Sequence, residues 1–264
     1  MADDDPFSLI DYRRLIDWPT RLAREWPFFA RALADAPSRR ILDLGCGPGE
    51  HARLFVSHGF EVVGIDASEA QLANAREQGE SAALRFIKGD IADVEALTEG
   101  TFGAAICVGN TLPSVPNDER MSRLADGLRR RLLPGARWVT QILNYDRVAA
   151  TRQRALPVNV LPDEDGELVF LRLMDPKPDG RVIFTPAMLR YRSGGDPPLE
   201  LLAARHADMR GWRLAELEPI LRAAGFDPIE ALGGIDGAPF DAEASSDLVL
   251  VARSPKPKAQ SPEP

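Results

Sequence analysis

The sequence predicts an α/β fold: a doubly wound, mostly parallel seven-stranded sheet with helices on both faces, an N-terminal helical cap and an antiparallel β insertion. Three observations carry that expectation. Apolar, β-branched runs alternate with helical stretches through the first half of the chain. The first run breaks abruptly into three closely spaced glycines, in "RRILDLGCGPGEHARLF" (39–55), as a strand does when it turns sharply into a helix with its backbone bare. After residue 150 the alternation stops, and strand-like runs follow one another with only turn signals between them.

In chain order, 7–35 reads as helical, because Leu9, Leu15, Ile16, Trp18, Leu22, Trp26, Phe28 and Phe29 recur at helix-like intervals. Strands are expected at 39–44, 61–66, 84–90, 102–109 and 137–143, with helices at 49–58, 68–79 and 117–132. Strands nearly continuous in apolar residues and separated by helices indicate a parallel sheet covered on both faces. Segments 158–162, 167–175 and 181–191, divided by "PDEDGE" and "PKPDGR", should pair antiparallel. A helix over "RGWRLAELEPILRAAGF" ends on Gly225, and two last strands lie at 228–234 and 246–253. The expected division is a helical cap at 1–35, a ligand-binding sheet domain at 36–150 and 204–253, an insertion at 151–203 acting as a substrate lid, and a disordered, proline-rich tail at 254–264.

A net charge of −8 argues against a nucleic-acid partner, which requires a basic face to neutralise phosphates. The run Arg129–Arg131 reads instead as cations at a helix C-terminus. Two cysteines make no disulfide framework and no CxxC pair, and the three histidines lack metal-ligand spacing, so no metal is expected. No leader layout opens the chain and no apolar run approaches a membrane span. The expectation is a cytoplasmic protein with a small-molecule partner and neither nucleic acid nor membrane as a partner. The sequence is silent on oligomeric state.

The glycine turn, Asp43-Leu44-Gly45-Cys46-Gly47-Pro48-Gly49, differs from a dinucleotide fingerprint, because Glu50 stands where the last glycine belongs. A carboxylate before the turn and another after it repel a pyrophosphate and favour a ligand with a cationic end. A nicotinamide-dependent oxidoreductase is disfavoured on the same ground. Asp66, at the end of the second strand and about 20 positions beyond the glycines, is placed to accept both hydroxyls of a ribose. Asp66-Ala67-Ser68 also reads as a simple helix cap. Asp90 and Ile91 end the third strand, and Gly109-Asn110-Thr111-Leu112-Pro113 ends the fourth, at the same edge.

Taken together, "LDLGCGPG", "VVGIDAS", "FIKGDI" and "CVGNTLP" resemble the successive motifs of the class I S-adenosylmethionine-dependent methyltransferases, whose fold is Rossmann-like. The resemblance covers roughly 36–145 and the last two strands. It implies that Asp43 with Gly45, Cys46, Gly47 and Gly49 holds the methionine portion of S-adenosylmethionine. It further implies Asp66 on the ribose, Asp90, Ile91 and Ala67 on the adenine, and Gly109, Asn110, Thr111 and Leu112 near the transferring methyl. "GNTLPSV" and "QILNYDR" are similar to stretches of the glycine and sarcosine N-methyltransferase group. That similarity implies Tyr12, Trp18 and Arg21 on a helical segment closing over the cofactor, Arg172 on a substrate carboxylate and Asn144 on the acceptor. N-methylation of an amine or amino acid is the reading, with an oxygen or carbon acceptor, or a non-catalytic cofactor-binding module, as alternatives.

Overall fold

The computed structural model describes residues 12–256. The expected side chain of Tyr12 and residues 257–264 of the expected tail lie outside the described residues.

Helix α1 (Tyr12–Leu15) is separated from α2 (Trp18–Ala32), where a single helix was expected. The break has a local cause. Asp17 takes an N-cap conformation and its carboxylate accepts from the Thr20 amide at 3.2 Å, while a proline occupies the first turn of α2, where its missing N–H is not needed.

The main sheet contains β1 (Arg40–Leu44), β2 (Glu61–Asp66), β3 (Leu84–Lys88), β4 (Phe102–Cys107) and β5 (Leu132–Leu143), all parallel. Two further strands, Ile229–Leu232 and Asp247–Arg253, are added antiparallel beyond β5. The order across the sheet is β3-β2-β1-β4-β5, then Asp247–Arg253, then Ile229–Leu232. Helices α3 (Glu50–Ser57), α4 (Glu69–Glu77), α5 (Val94–Leu97), α6 (Asp118–Arg131), α7 (Tyr145–Thr151) and α8 (Leu214–Ala223) complete the chain. The period-two geometry of strands explains why the sheet has two cores. Leu42, Leu44 and Trp138 enter one cluster with α6 and α8, whereas Ile41, Val62 and Val139 enter the other with Phe29 and Phe55. All six residues of β4 are buried, as a central strand covered on both faces requires.

The second sheet is antiparallel and contains β6 (Asn159–Asp163), β7 (Gly166–Pro176), β8 (Arg181–Tyr191), β9 (Leu199–Ala204) and β10 (Ala207–Arg210). Only β10 lies beyond the expected return to the first sheet at residue 204, and neither β9 nor β10 was expected as a strand. They pair with successive stretches of β8, so their strand form depends on an edge that local sequence does not display. The number of strands β1–β5 and their places along the chain follow the sequence expectation. β5 starts earlier than expected, at Leu132, because Phe102 of β4 pairs with it there before a register shift.

Candidate functional site

The strand order reverses between β1, which pairs β2 on one side, and β4 on the other. Ligands of open α/β sheets bind at such a switch point, beyond the carboxyl ends of the strands. The residues there are those of the glycine turn and the ends of β2, β3 and β4.

Gly45, Gly47 and Gly49 have φ of +71°, +52° and +83°, values that side chains with a Cβ adopt at a cost. At Gly47 an added Cβ would meet nothing within 4 Å, so the turn is open there. Gly45 is different, because its α-carbon lies hard against the Thr111 side chain. The first and fourth strand ends are therefore in contact, as a shared crevice requires. Cys46 is buried, and burial pushes its thiol well above the usual range, which leaves it an inert filler.

The carboxylates of the crevice have distinct surroundings. Asp43 is 2% exposed, and its Oδ2 has no hydrogen-bond partner. Burial pushes its carboxyl up to about 6; the charge of His51 works against this and that of Asp66 adds to it. Asp66 accepts from the Gly47 amide at 2.8 Å through Oδ2 and from the Ser68 amide at 2.9 Å through Oδ1. Ser68, not Asp66, is the side chain that caps α4, accepting from the Gln71 amide at 3.2 Å. Asp66 is thus bonded to the glycine turn and Ser68 caps the helix, with Ala67 exposed between them. Asp90 caps the turn at Ile91–Asp93 and pairs with Arg120 at 2.7 Å. Ile91 is buried in the main core.

The turn after β4 is tied to β5 by backbone and side chain alike. Gly109 donates to Gln141 Oε1 at 2.8 Å, and Gln141 donates in turn to Asp247 at 3.0 Å. Asn110 is left-handed, with φ of +66°, a conformation asparagine tolerates. Its Oδ1 accepts from the Leu143 amide at 3.0 Å, and its Nδ2 donates to the Tyr145 hydroxyl at 3.0 Å. Thr111 donates to the Val108 carbonyl, and Leu112 is fully buried. Burial pushes the Tyr145 hydroxyl up to about 12, which keeps it a neutral partner for Asn110.

The N-terminal cap closes on this edge through a buried polar pair that sequence reasoning did not find. Glu25 on α2 meets His51 Nε2 on α3 at 2.7 Å, both less than a tenth exposed. Arg21 donates to the other Glu25 oxygen at 2.9 Å and stacks over Trp18, while the Trp18 ring meets His51 edge-on. Arg21 also stands near the turn after β4, where a Cβ added at Gly109 would lie 3.7 Å from its guanidinium. The pair joins residues 26 apart in sequence, and nothing in the local pattern marks either as a partner. Burial alone would raise the Glu25 carboxyl, but His51 and Arg21 together hold it below the usual range. Its contribution to stability is therefore full above the ordinary carboxylate pKa and disappears as pH falls through the lowered value. Glu25→Gln, which keeps the shape and removes the charge, should destabilise the protein by about 1–2 kcal/mol at pH 7. Calorimetry should show that difference shrinking as pH falls below the ordinary carboxylate range. An equal difference at both pH values would refute the pairing.

The two expected substrate contacts, Asn144 and Arg172, are both held by protein groups. Asn144 is a correction: it is 1% exposed, its Oδ1 caps α7 at the Arg147 amide, and its Nδ2 donates to the carbonyls of Asp241, Ala242 and Ser245. Its amide is committed to anchoring the 241–245 loop and is not available to an acceptor. Arg172 lies on the second sheet and donates to the Pro157 carbonyl and to Asn159 Oδ1 at 2.9 and 2.8 Å. Asn159 in turn donates to the Leu15 carbonyl, so Arg172 stands in the seam between insertion and cap. The same seam holds Asp163 between Arg14 and Arg190.

As a receptor, this edge supplies carboxylate acceptors beside a backbone turn left bare at Gly47. The orphaned oxygen of Asp43 calls for a cation, and Asp66 at the turn suits paired hydroxyls. S-adenosylmethionine, with an ammonium, a sulfonium and a ribose, fits that donor–acceptor set. Among the described residues, no group of three or more His, Cys, Asp or Glu could hold a metal ion, and no helix is long and apolar enough to cross a membrane.

Comparison with known proteins agrees with this geometry. Residues 41–135 match the methyltransferase domain family. A glycine/sarcosine N-methyltransferase from Parasynechococcus marenigrum is 37% identical over 107 residues, 37% of this chain and 36% of the relative, so the match spans about a third of that relative's length. The solved CcbJ methyltransferase of Streptomyces caelestis superposes with a TM-score of 0.68 at 25% identity, covering 88% of this chain and 89% of that one. An S-adenosylmethionine-dependent methyltransferase from Clostridium acetobutylicum gives a TM-score of 0.69 at 12% identity, covering 93% of both chains. Residues 41–135 are thus a methyltransferase domain, in a chain that has the fold of the S-adenosylmethionine-dependent methyltransferases.

Proposed function

We propose that the protein is an S-adenosylmethionine-dependent methyltransferase acting on a small molecule, most directly on the nitrogen of an amine or amino acid. The single observation that carries the cofactor assignment is the buried Asp43 oxygen without a partner, on the strand that runs into the glycine turn. The bound cofactor supplies a methyl group activated by its sulfonium. Asp43, Gly45, Cys46, Gly47 and Gly49 hold the methionine end, Asp66 the ribose, and Asp90, Ala67 and Ile91 the adenine. Gly109, Asn110, Thr111 and Leu112 form the wall beside the reacting centre. Trp18 and Arg21 close over it from the cap, and Tyr12 belongs to the same segment.

In-line transfer is mainly a matter of positioning an unprotonated nucleophile in a site shielded from water. The insertion and the cap provide that shield in this reading. Arg172 provides a planar fork for an acceptor carboxylate, pre-set by its bonds to Pro157 and Asn159. The nitrogen acceptor is supported by the glycine/sarcosine N-methyltransferase relative and by the "GNTLPSV" and "QILNYDR" stretches.

The test follows methyl label from S-adenosylmethionine into a small-metabolite extract by mass spectrometry. Label should enter an amine or amino acid and fall at least tenfold in Asp66→Ala. Label in a phenol or carboxyl would keep the methyltransferase and overturn the acceptor. Cofactor binding with no transfer to any acceptor would favour a non-catalytic binding module.

A further inference from the structure

Every large apolar side chain that stands exposed among the described residues lies between Val158 and Leu202, on or beside the second sheet. The pairing register shows that most of them share one face. Val160 of β6 is opposite Val169 of β7, which is opposite Leu189 of β8, which is opposite Leu201 of β9. Directly opposed residues point to the same side, so these four make one apolar row across the sheet. Beside it lie Leu171 with Ala187 on one flank and Tyr191 with Leu199 on the other.

The opposite face is already occupied. Phe170 and Met188 pack on Leu15 of α1, and Met174 and Phe184 enter the main core. The sheet is therefore apolar on both faces, a pattern that belongs to a sheet covered on both. Val160 is 52% exposed and Leu201 62%.

We infer that the outer face of this sheet is the contact surface for a second copy of the chain, two sheets stacking face to face about a two-fold axis. Extent supports that occupant. At ordinary side-chain areas the exposed residues leave on the order of 600 Å² of apolar surface in water, as large as the largest patch on a typical monomer and approaching the roughly 800 Å² per partner of a standard interface. Charge supports it as well. The chain carries −8, so like copies repel, and the face on which they can meet must itself be uncharged. Along β7 this face carries charge only at its two ends, at Glu167 and Asp175, with Val169, Leu171 and Leu173 between them. Stacked sheets bury such rows at a spacing of about 10 Å, and two-fold dimers are the commonest closed assembly.

Light scattering on the purified protein at micromolar concentration should give twice the 28.9 kDa chain mass. The double variant Val160→Glu/Leu201→Glu should give the single mass while keeping its near-ultraviolet circular dichroism, and Leu201→Met should remain dimeric. An independent reading avoids any loss of fold: both native cysteines are buried, so Leu201→Cys supplies a reactive thiol. Its maleimide labelling should slow at least tenfold as protein concentration rises. A wild-type monomer, a dimer that survives the folded double variant, or labelling independent of concentration would each overturn the inference.

Discussion

Gly45→Ala will destabilise the protein by about 2–4 kcal/mol and lower its melting temperature by about 5–15 °C. Two effects combine. At φ of +71° an L-residue is strained, which costs roughly 1–2 kcal/mol. The new Cβ would also lie 2.2 Å from Thr111 Cγ2 and 2.6 Å from its Oγ1, well inside contact distance. Thr111 cannot simply retreat, because its hydroxyl is bonded to the Val108 carbonyl at the end of β4. The overlap therefore pushes two strand ends apart at the switch point, and cofactor affinity should fall with stability. Adding Thr111→Ser removes the nearest atom and should recover part of the loss, while the backbone strain remains. Thermal melts of the single and double variants test this. A Gly45→Ala protein as stable as wild type would show that the two turns do not touch.

The second large effect is a pH dependence of cofactor binding set by Asp43. In the free protein burial raises this carboxyl from 3.8 to about 6. A raised folded pKa means that the folded state holds the proton more tightly than the unfolded state. Stability contributed by the neutral form is then present below the unfolded pKa and lost as pH rises through about 6, a difference on the order of 3 kcal/mol. A cationic ligand beside the ionised oxygen offsets that loss, so binding favours the deprotonated form. Affinity for S-adenosylmethionine should be level above pH 6 and fall by up to about tenfold per pH unit below it. Asp43→Asn should remove the pH dependence, bind about 10–100-fold more weakly at pH 7, and unfold at a higher temperature than wild type in the absence of ligand. Titration calorimetry from pH 5 to 8 measures the first two effects. A wild-type affinity that is flat across pH 6 would sink the role given to Asp43.

Much of the sheet was legible because the signals that specify it are local. β2 occupies 61–66 as expected, and α6 and β3 differ from expectation by a few residues at their ends. A buried strand needs only its own apolar run, and a strand-to-helix turn needs only glycines whose φ few other residues adopt cheaply. The same holds for the carboxylates at the strand ends, since position along a strand determines which edge they reach. β9 and β10 escaped because they become strands only by pairing with β8.

The chemistry of the individual side chains was not legible in this way. "NYD" placed Asn144 at the correct strand end, yet its amide is consumed by carbonyls about 100 residues later in the chain. Glu25 and His51 look like ordinary helix residues until α2 lies across α3 and removes both from water. The sequence by itself determined the strands of the main sheet, the bare glycine turn and the acidic edge, since each follows from backbone conformation or period-two patterning. Only the tertiary structure decided which polar groups at that edge are already satisfied and which, like Asp43, are buried without a partner, because hydrogen bonds and desolvation depend on atoms brought together from distant parts of the chain.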